Sequence, residues 1–375
     1  MDALMLPLNW QKVRLGDIGK PCMCKRVMKH QTTRYGEIPF YKIGTFGNTA
    51  DAFISKKLFL EYRTKYSFPK KGDILISASG TIGRAVIYDG KPAYFQDSNI
   101  VWIDNDETLV KNDFLFYAYS NVKWNTEHTT ILRLYNDNFR NTLIPLPPLN
   151  EQNAIANILS ALDRYLYALD ALILKKEGVK KALSFELLSQ RKRLKGFNQA
   201  WQKVRLGDIC EITTGSLDAN EMVHYGKYRF YTCAKEYYFI DKYAFDTEAI
   251  LISGNGAYVG YVHYYKGKFN AYQRTYVLDN FSEHIIFVKY FLTMFLQSHI
   301  QTNRNEGNTP YIVMATLKDF EILLPPLNEQ SAIANILSDL DNEITSLKNK
   351  KRQFENIKKA LNHDLMSAKI RVLEK

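Results

Sequence analysis

Four cysteines and one glycine-rich run are the residues whose type and spacing could bind a metal ion or a nucleotide. The cysteines form no Cys-x-x-Cys pair, and no pair of histidines near them has the spacing of a zinc site, so we expect reduced thiols. The run Gly254-Asn-Gly256 with Gly260 imitates a nucleotide-binding loop, but it lacks a strand–helix–strand setting and a ribose-binding acid. A turn between two strands is therefore the expected structure there. The cysteines are Cys22, Cys24, Cys210 and Cys233.

One tetrapeptide could carry methyl transfer. Asn308-Thr309-Pro310-Tyr311 is similar to the Asn-Pro-Pro-Tyr motif of adenine methyltransferases, but its second residue is threonine and no strand with a glycine-rich cofactor loop precedes it. The sequence contains no G-x-x-x-x-G-K-[S/T] loop for ATP and no convincing pair of acids with a lysine for a nuclease. We therefore expect no catalytic residue, no cofactor and no metal site in this chain.

Basic and amide side chains are the remaining candidates, and their chemistry is binding. The 50 Lys+Arg and 39 Asp+Glu residues give a net charge of +11, which favours a polyanionic partner without requiring one. Arginine and glutamine suit paired hydrogen bonds to guanine and adenine, whereas lysine more often contacts the phosphate backbone. For any single residue, the alternative is a solvated surface charge.

The candidates for DNA contact lie in predicted loops of both halves of the chain. In the first half they are Lys25, Arg26, Lys29, Arg34, Ser77, Ser79, Thr81, Arg84, Gln96, Arg133, Asn136 and Asn138. In the second half they are Lys227, Arg229, Asn255, Tyr258, Gln273, Arg274, Arg304, Asn305 and Asn308. The basic run Arg191–Lys195 either contacts phosphate or is a solvated helix end.

Length and composition limit the class of protein. A chain of 375 residues predicts two or three domains, and 46% hydrophobic with 24% charged residues is typical of a folded protein. The most apolar stretch, Ile285–Leu296, is interrupted by Lys289 and is shorter than the ~20 residues that span a bilayer. Residues Met1–Pro7 lack the basic and apolar regions of a signal peptide. We therefore expect a cytoplasmic protein without membrane contact.

The chain contains an internal repeat. The nine residues Trp10–Ile18 recur unchanged at Trp201–Ile209, and the 18 residues Leu146–Asp163 recur at Leu324–Asp341 with two differences. The segments between these boxes differ in length and are mostly unlike. A repeat of this kind indicates two equivalent halves, each with a variable domain followed by a shared helix. The predicted segments are variable domain 1 over 1–145, a central helix over 146–196, variable domain 2 over 197–323 and a C-terminal helix over 324–375.

The two variable domains share traces of one fold. Asp73–Ser77 resembles Ala249–Ser253, and each apolar run is followed by glycine, which predicts a buried strand entering a turn. Tyr94-Phe-Gln96 likewise resembles Ala271-Tyr-Gln273. We predict a mixed α/β domain in each half. Further strands are predicted at Val86–Tyr88 and Val259–Tyr264, and helices at Asp113–Lys123 and Glu283–Gln301.

Each shared segment has the pattern of a long helix. The prolines before Asn150 and Asn328 stop the preceding element, each asparagine is predicted as an N-cap, and Glu151 and Glu329 suit the first turn. Apolar residues then recur at steps of four and three, which is a heptad seam. Each helix is predicted to run about 40 residues, or ~60 Å.

Two equal helices with narrow apolar stripes are expected to pack on each other as an antiparallel coiled coil. The alternative is that each packs on a separate partner, and the same residues could serve both. The predicted fold class is α+β, with two mixed α/β domains separated by the helix pair and related by a pseudo-two-fold repeat. The residues assigned to the helix pair or to partner docking are Leu149, Asn150, Ile155, Leu159, Leu162, Leu166, Leu327, Asn328, Ile333, Leu337, Leu340 and Ile344.

Such a helix pair would place two different domains more than one turn of duplex DNA (~34 Å) apart. Because the domains differ, the expected target is an asymmetric, bipartite sequence with an unread spacer set by the helices. The chain then resembles, over essentially its whole length, the specificity subunit (HsdS) of type I restriction–modification systems. The residues that carry the resemblance are Trp10 with Leu15–Ile18, Gly72–Ser77 with Gly80 and Gly83, Pro147–Gln152 with Ile155, and Pro325–Gln330.

The resemblance implies a subunit without catalytic activity that carries two target recognition domains. It implies binding to double-stranded DNA and to two modification subunits, which use S-adenosylmethionine to methylate adenine at N6. Two restriction subunits would add an ATP- and Mg-dependent translocase and nuclease, so these cofactors are expected on the partners. Two features depart from the family pattern. Glu248-Ala249 stands where the first half has Gly72-Asp73, and no short tandem repeat that tunes the spacer is visible between Leu183 and Trp201.

Two other functions stay open from the sequence. One is a self-contained methyltransferase or nuclease, which would need a cofactor or metal site that the motifs do not provide. The other is a non-catalytic adaptor, in which the helices dock proteins and the variable domains bind peptides or other ligands. Affinity for mixed duplex DNA at low salt would separate the DNA-binding hypothesis from the adaptor.

Overall fold

The computed structural model of the chain describes residues 7, 9–125, 133–303 and 310–372. The chain forms two compact units. Unit 1 comprises Met1–Asp170 and Lys350–Lys375, and unit 2 comprises Ala171–Asn349. The division passes through both long helices, so each unit contains part of each helix. The four segments predicted from the sequence follow the repeat instead, and their boundaries stay predictions.

Unit 1 is built on short strands and short helices. Its sheets are ordered β2-β8-β5-β6 and β4-β3-β7, and β1 pairs with β9 in antiparallel register. The strands are β1 (Gln11–Arg14), β2 (Gly19–Met23), β3 (Ile38–Tyr41), β4 (Phe53–Ile54), β5 (Ile74–Ser77), β6 (Ala85–Ile87), β7 (Tyr94–Phe95), β8 (Ile100–Asn105) and β9 (Leu143–Leu146). The helices are α1 (Leu15–Ile18), α2 (Lys56–Lys65), α3 (Asn112–Tyr119) and α4 (Asn136–Asn141), followed by the long helix α5 (Leu149–Leu188).

The strand β5 is buried on both faces, as its continuous apolar run predicts. Ile74 and Ile76 lie in a core that includes Ile155 of α5, whereas Leu75 lies in a second core with Tyr94. This alternation follows the period of two along a strand. The first core therefore joins the sheet of unit 1 to the start of the long helix.

Unit 2 has one larger sheet, ordered β11-β16-β14-β15-β12-β13, and a separate antiparallel pair of β10 with β17. The strands are β10 (Gln202–Arg205), β11 (Glu211–Thr214), β12 (Tyr228–Tyr231), β13 (Tyr238–Ile240), β14 (Phe245–Ser253), β15 (Val262–Ala271), β16 (Thr275–Asp279) and β17 (Glu321–Leu324). The helices are α6 (Ile285–Asn303), α7 (Met314–Lys318) and the long helix α8 (Leu327–Met366). Its core packs Ile250 and Phe287 against Ile333 of α8.

The predicted elements lie where the sequence placed them, with shifted ends. Helix α3 ends at Tyr119 rather than Lys123, and α6 ends at Asn303 rather than Gln301. Strand β15 begins at Val262 rather than Val259. The cause is Gly260, whose φ of +80° is left-handed and belongs to the preceding turn.

Both long helices have the predicted length of 40 residues. The predicted N-caps are wrong by two residues, because the helices already begin at Leu149 and Leu327 and the cap positions are therefore Pro148 and Pro326. The side-chain oxygens of Asn150 and Asn328 instead accept from the next backbone N–H at 2.9 Å, inside the first turn. Leu149 and Leu327, which the sequence assigned to the helix pair or partner docking, are 40% and 55% exposed because they precede the first core-facing turn.

Ion pairs join the two long helices in antiparallel order. In general, the further a residue lies along α5, the nearer its partner lies to the start of α8. The pairs in unit 1 are Asp163–Lys358 and Asp170–Lys351, and those in unit 2 are Lys176–Glu343, Glu177–Lys348 and Lys180–Asp341. The antiparallel packing predicted from the heptad seam is therefore present in each unit. Of the predicted seam, Ile155, Leu159, Ile333, Leu337 and Ile344 are buried, and Leu162, Leu166 and Leu340 are half-buried.

Candidate nucleic-acid interface

A buried glutamate joins the first strand of unit 1 to α5. Glu151 Oε2 accepts a hydrogen bond from Trp10 Nε1 at 3.0 Å. The same carboxylate accepts two hydrogen bonds from Arg371, at 2.6 Å from Nε and 2.9 Å from Nη2. A bidentate arginine–carboxylate pair is a strong, directional contact. The repeated tryptophan box therefore packs the α/β part of unit 1 onto its helices.

Unit 2 contains the same arrangement. Glu329 accepts from Trp201 Nε1 at 3.2 Å and from Arg193 Nη2 and Nε at 2.6 and 3.2 Å. Arg193 belongs to the basic run for which phosphate contact was one interpretation, and its guanidinium is instead held by a fully buried carboxylate. Arg191 of the same run lies over the ring of Phe185 at 4.8 Å.

A fully buried glutamine follows each of these glutamates and holds backbone groups. Gln152 Oε1 accepts from Lys111 N at 2.8 Å, and its Nε2 donates to Leu109 O at 3.0 Å. In unit 2, Gln330 Oε1 accepts from His284 N at 3.0 Å. These bonds fix the start of α3 and of α6 against the long helices. The sequence identified both glutamines only as part of the proline boxes and gave them no role, because the partners are backbone groups more than forty residues away.

One tyrosine in each unit completes the attachment of the helices. Tyr117 Oη donates to Asp163 at 2.7 Å, and Tyr290 Oη donates to Asp341 at 2.6 Å. Burial, and then the hydrogen bond to the carboxylate, raises the pKa of both phenols. Burial acts to raise the pKa of Asp341, but hydrogen bonds from Lys180 and Tyr290 outweigh it and hold that pKa below its usual value. The carboxylate is therefore ionised at neutral pH.

The turn after β5 presents the first group of predicted DNA-contacting residues. Ser77 O accepts from Gly83 N at 2.9 Å, and Ser77 N donates to Arg84 O at 3.0 Å. The Ser77 hydroxyl donates to Thr81 O and accepts from Arg84 N at 2.9 Å. Gly80 and Gly83 have φ of +66° and +83°, which favours glycine at both positions. The turn is thus closed at its base, and Thr81 and Arg84 are exposed.

The turn after β14 is closed by the same backbone bonds. Ser253 O accepts from Gly260 N at 2.7 Å, and Ser253 N donates to Tyr261 O at 3.0 Å. Gly256 and Gly260 both have φ of +80°. Replacement of the Gly72-Asp73 pair by Glu248-Ala249 therefore leaves the closing backbone bonds of this turn unchanged, although the turn is one residue longer than that of unit 1.

Substitutions of the turn glycines should separate backbone strain from steric clash. Gly83→Ala should lower the free energy of unfolding more than Gly80→Ala, because its Cβ would lie 2.1 Å from Trp124 Nε1. The nearest atom to a Cβ at Gly80 is Ile43 Cγ1 at 3.8 Å, so only the left-handed strain of about 1–2 kcal/mol applies. The clash should add about 1–3 kcal/mol, measured by urea denaturation. Equal losses in the two variants would contradict this packing.

Two further segments of unit 1 hydrogen-bond to its turn. Ala78 N donates to Asn99 O at 2.8 Å, and Ala78 O accepts from Leu134 N at 2.8 Å. The Ser79 hydroxyl donates to Asn99 Oδ1 at 2.8 Å, and the same oxygen accepts from Arg133 Nη2 at 3.2 Å. Candidates that are distant in sequence are thus brought to one surface.

A fourth segment, Ile43–Gly47, also lies beside the turn. Gln96 Oε1 accepts from Ile43 N at 3.0 Å, and Arg84 Nη1 donates to Phe46 O at 3.0 Å. A shallow cavity of about 250 Å³ lies between this segment and the turn. We name the surface formed by residues 43–47, 77–84, 96–99 and 133 the loop cluster of unit 1.

The corresponding segments of unit 2 are joined by the same bonds. Gly254 N donates to Arg274 O at 2.8 Å, and Gly254 O accepts from Ile312 N at 2.9 Å. Gln273 N donates to Leu217 O at 2.9 Å. The side chains of Gln273 and Arg274 are exposed on a backbone that is held at both residues. We name the surface formed by residues 254–261, 272–274 and 310–312 the loop cluster of unit 2.

The sequence equated Gln96 with Gln273, and this match is wrong by one residue. Gln96 N donates to Tyr41 O at 2.9 Å, and in unit 2 the same bond runs from Tyr272 N to Tyr231 O at 2.9 Å. Tyr272 is therefore the counterpart of Gln96. Gln96 and Gln273 share a side-chain type, but the pairing of the strands determines which residues occupy the same position in the fold.

Several sequence candidates have structural roles instead of facing solvent. Ser77 and Ser79 are buried and brace the turn of unit 1. The Arg229 guanidinium lies between the rings of Tyr237 and Tyr265, at 4.2 and 4.5 Å from their centroids. The two serines therefore hold the turn, Arg229 is held by its aromatic neighbours, and none of the three presents its side chain for base contact.

The other candidates are placed as follows. Lys25, Arg26, Lys29, Arg34, Asn136, Lys227 and Tyr258 are exposed, and Asn138, Gln96, Arg133 and Asn255 are half-buried. Arg304, Asn305 and Asn308 lie outside the described residues, as does Thr309 of the tetrapeptide that is similar to a methyltransferase motif.

The cysteines are free thiols in the structure. Burial raises the pKa of Cys24 and of Cys210 to about 12, so both stay protonated at neutral pH. Within residues 7, 9–125, 133–303 and 310–372, no cluster of three or more histidine, cysteine, aspartate or glutamate side chains could hold a metal ion. Among the helices of that same part of the chain, none is both long and apolar enough to cross a membrane.

The model of the type I restriction modification DNA specificity domain matches this chain twice, at residues 7–176 and 198–356. The chain therefore belongs to that family, and the resemblance stated from the sequence motifs is confirmed. Each match covers one variable segment and part of the helix that follows it, in agreement with the internal repeat.

Two curated relatives and one solved structure show how far the similarity extends. A putative type I restriction enzyme specificity subunit of Haemophilus influenzae is 63% identical over 148 residues, which is 39% of this chain and 38% of the relative. The EcoDI specificity subunit of Escherichia coli is 40% identical over 162 residues, 42% of this chain and 35% of the relative. These matches thus span little more than a third of either relative.

The solved structure is that of the type I restriction–modification S subunit of M. genitalium. It superposes with a TM-score of 0.66 at 18% identity, covering 97% of this chain and 98% of that one. At this identity the similarity concerns the fold. The α+β class with two mixed domains and two long helices is thereby confirmed.

Proposed function

We propose that this chain is the DNA sequence-recognition subunit of a type I restriction–modification complex and performs no catalytic step itself. One observation carries the proposal. Both units build the same turn from the same backbone hydrogen bonds but present different side chains from it. Arg84 of unit 1 is replaced by Tyr261 in unit 2, and Arg133 is replaced by Tyr311. A shared frame with different side chains is what the reading of two unlike half-sites requires.

Each unit would read one half of an asymmetric, bipartite sequence through its loop cluster. Arginine and glutamine can form paired hydrogen bonds to base edges in the major groove, and tyrosine and lysine can contact the phosphate backbone. The long helices would set the length of the unread spacer. The comparisons support this assignment, since the family is named for DNA specificity and the relatives are named specificity subunits of type I restriction enzymes.

The partners and location follow from the same proposal. Two modification subunits would bring S-adenosylmethionine for methylation of adenine. Restriction subunits would bring ATP and Mg²⁺ for translocation and cleavage. All of these components act on genomic DNA, so the proposed location is the cytoplasm.

Exchange of one variable segment is the direct test. Residues 19–142 are replaced by the matching segment of a relative with another specificity, and the chimaera is expressed with the modification subunit. Mapping of methylated adenines should show one half of the recognised sequence changed and the other half retained. Exchange of residues 210–320 is the matched control and should change the opposite half. If neither exchange alters the methylated sequence, the proposal is wrong.

Salt dependence gives a second expected result. Each neutralised phosphate should contribute about −0.9 to the slope of log Kobs against log salt, because condensed counterions are released. Several phosphate contacts per complex should therefore give a slope of several units. A filter-binding titration of the assembled complex with its duplex measures the slope. A slope near zero would favour the adaptor hypothesis.

The alternative functions are less well supported. A self-contained methyltransferase or nuclease would modify DNA without a partner subunit, and methyl transfer by the isolated chain would establish it. The adaptor hypothesis gives no reason for the repeated turn to carry arginine, glutamine and tyrosine side chains. The family membership favours DNA recognition over both.

A further inference from the structure

Unit 1 contains an aromatic cavity that the proposed function does not use. Its volume is about 420 Å³, and its lining includes Tyr41, Phe46, Tyr88 and Phe95. The rings of Tyr41 and Phe95 are stacked at 5.8 Å, and those of Tyr88 and Phe95 meet edge to face at 5.7 Å. We name this cavity the aromatic slot. Pro39 also lines it.

Strand pairing identifies the corresponding position in unit 2. In unit 1, Pro39 of β3 pairs with Phe53. In unit 2, Arg229 of β12 pairs with Phe239. Both strands then continue with Phe-Tyr and pair in parallel with the strand that leads into the loop cluster. Arg229 therefore occupies the position of Pro39.

The walls of the two positions also correspond. Tyr88 N donates to Asp73 O at 2.9 Å, and Tyr265 pairs with Ala249. Asp73 and Ala249 each directly precede the Ile-Leu-Ile-Ser run of the buried strand, so Tyr88 and Tyr265 are counterparts. A further aromatic ring borders each position: Phe46 borders the slot of unit 1, and Tyr237 borders the position in unit 2.

In unit 2 this position is filled by a planar cation that the chain itself supplies. The Arg229 guanidinium stacks over Tyr237 and Tyr265, and its Nη1 donates to Tyr231 Oη at 3.3 Å. A guanidinium is attracted to the negative face of an aromatic ring and stacks on it. Proline at position 39 supplies no such group, so the slot of unit 1 stays open.

We propose that the aromatic slot of unit 1 binds the side chain of an arginine presented by a partner protein. The chain's own occupant of the matching position is an arginine, which defines the chemistry that such a site accepts. Asp89 lies at the slot and offers a carboxylate for the forked guanidinium donors.

The lining of the slot includes Asp89 and Lys91, so a cationic ligand competes with this lysine for the carboxylate. The backbone N–H of Lys91 donates to Asp89 Oδ1 at 2.9 Å and holds the pKa of that carboxyl below its usual value. The Lys91 ammonium lies 3.2 Å from Asp89, but both side chains are largely exposed, so an incoming guanidinium can displace it. A DNA base is a less suitable occupant, because it must first leave its stack in the duplex.

The test is a titration of the full chain with N-acetyl-arginine methylamide, in which binding is measured by the broadening of the probe's NMR signals. The neutral citrulline analogue has nearly the same shape and serves as the control. The arginine probe should bind roughly fivefold or more tightly than the citrulline probe. Pro39→Arg should abolish binding by placing a guanidinium in the slot, whereas Pro39→Ala should retain it. Tyr88→Leu should weaken binding while keeping an apolar wall.

A second measurement uses unit 2 as an internal standard. Arg229→Ala removes the natural occupant, and guanidinium ion at sub-denaturing concentration should then raise the melting temperature of this variant more than that of the wild type. Tetramethylammonium, which cannot donate hydrogen bonds, is the matched control cation.

Equal binding of arginine and citrulline probes, or binding unaffected by Pro39→Arg in a folded variant, would overturn the proposal. Tighter binding of deoxyadenosine than of the arginine probe would assign the slot to a base instead.

Discussion

Glu329→Ala is expected to lower the free energy of unfolding of unit 2 by about 3 kcal/mol, because it leaves a largely buried arginine without its carboxylate. Glu329 is fully buried, and the Arg193 side chain is 26% exposed. The substitution also removes the acceptor of Trp201 Nε1. The contact joins β10, α8 and the segment that follows α5, so its loss should loosen all three elements together.

A surface ion pair of the same unit is the matched control. Glu321 lies 2.5 Å from Lys203, with both side chains more than half exposed, and Glu321→Ala should cost less than about 1 kcal/mol. Hydrogen exchange of the β10 and β17 amides locates the effect, since these strands adjoin the buried pair. Equal protection of these amides from exchange in the Glu329→Ala and Glu321→Ala variants would show that Glu329 does not hold the unit together. Glu151→Ala tests the same arrangement in unit 1.

The long helices were predictable because their signals are local. A proline box, a heptad of apolar residues and the absence of proline in the helix interior determine a helix without reference to other elements. The cap was less predictable, because helices that begin two residues earlier than predicted also satisfy the first N–H groups. The same proline box holds Glu151 and Gln152, whose roles depend on partners far along the chain. Arg371 is 220 positions from Glu151, and no local pattern links them.

The candidate interface could be predicted only in part. The residue types after β5 and β14 correctly indicated turns, because a backbone at positive φ favours glycine and the glycines are visible in the sequence. Which side chains are exposed on those turns depends on the pairing of strands and on contacts between loops. Gln96 and Tyr272 correspond only through the bonds of their strands, and Arg229 is removed from the surface by two tyrosines that the sequence does not place beside it.

Arg274→Ala is expected to weaken recognition of the half-site read by unit 2 by about 1–3 kcal/mol, or roughly fivefold to a hundredfold, and to relax the preference at one base pair. The backbone at Arg274 is held because its carbonyl accepts from Gly254 N, and its side chain is exposed. Gln273→Ala should act in the same way at a neighbouring position. Binding of the assembled complex to duplexes randomised in one half-site measures both effects.

Two further variants separate base reading from simple charge. Arg274→Lys keeps the charge but loses the forked donors, so it should retain the salt dependence of binding and lose the base preference. Arg229→Ala removes an equal charge from the same unit but from a position between Tyr237 and Tyr265, and it should leave the base preference unchanged. The opposite pattern, with the preference altered by Arg229→Ala and kept by Arg274→Ala, would mean that the β12 face and not the loop cluster reads the DNA.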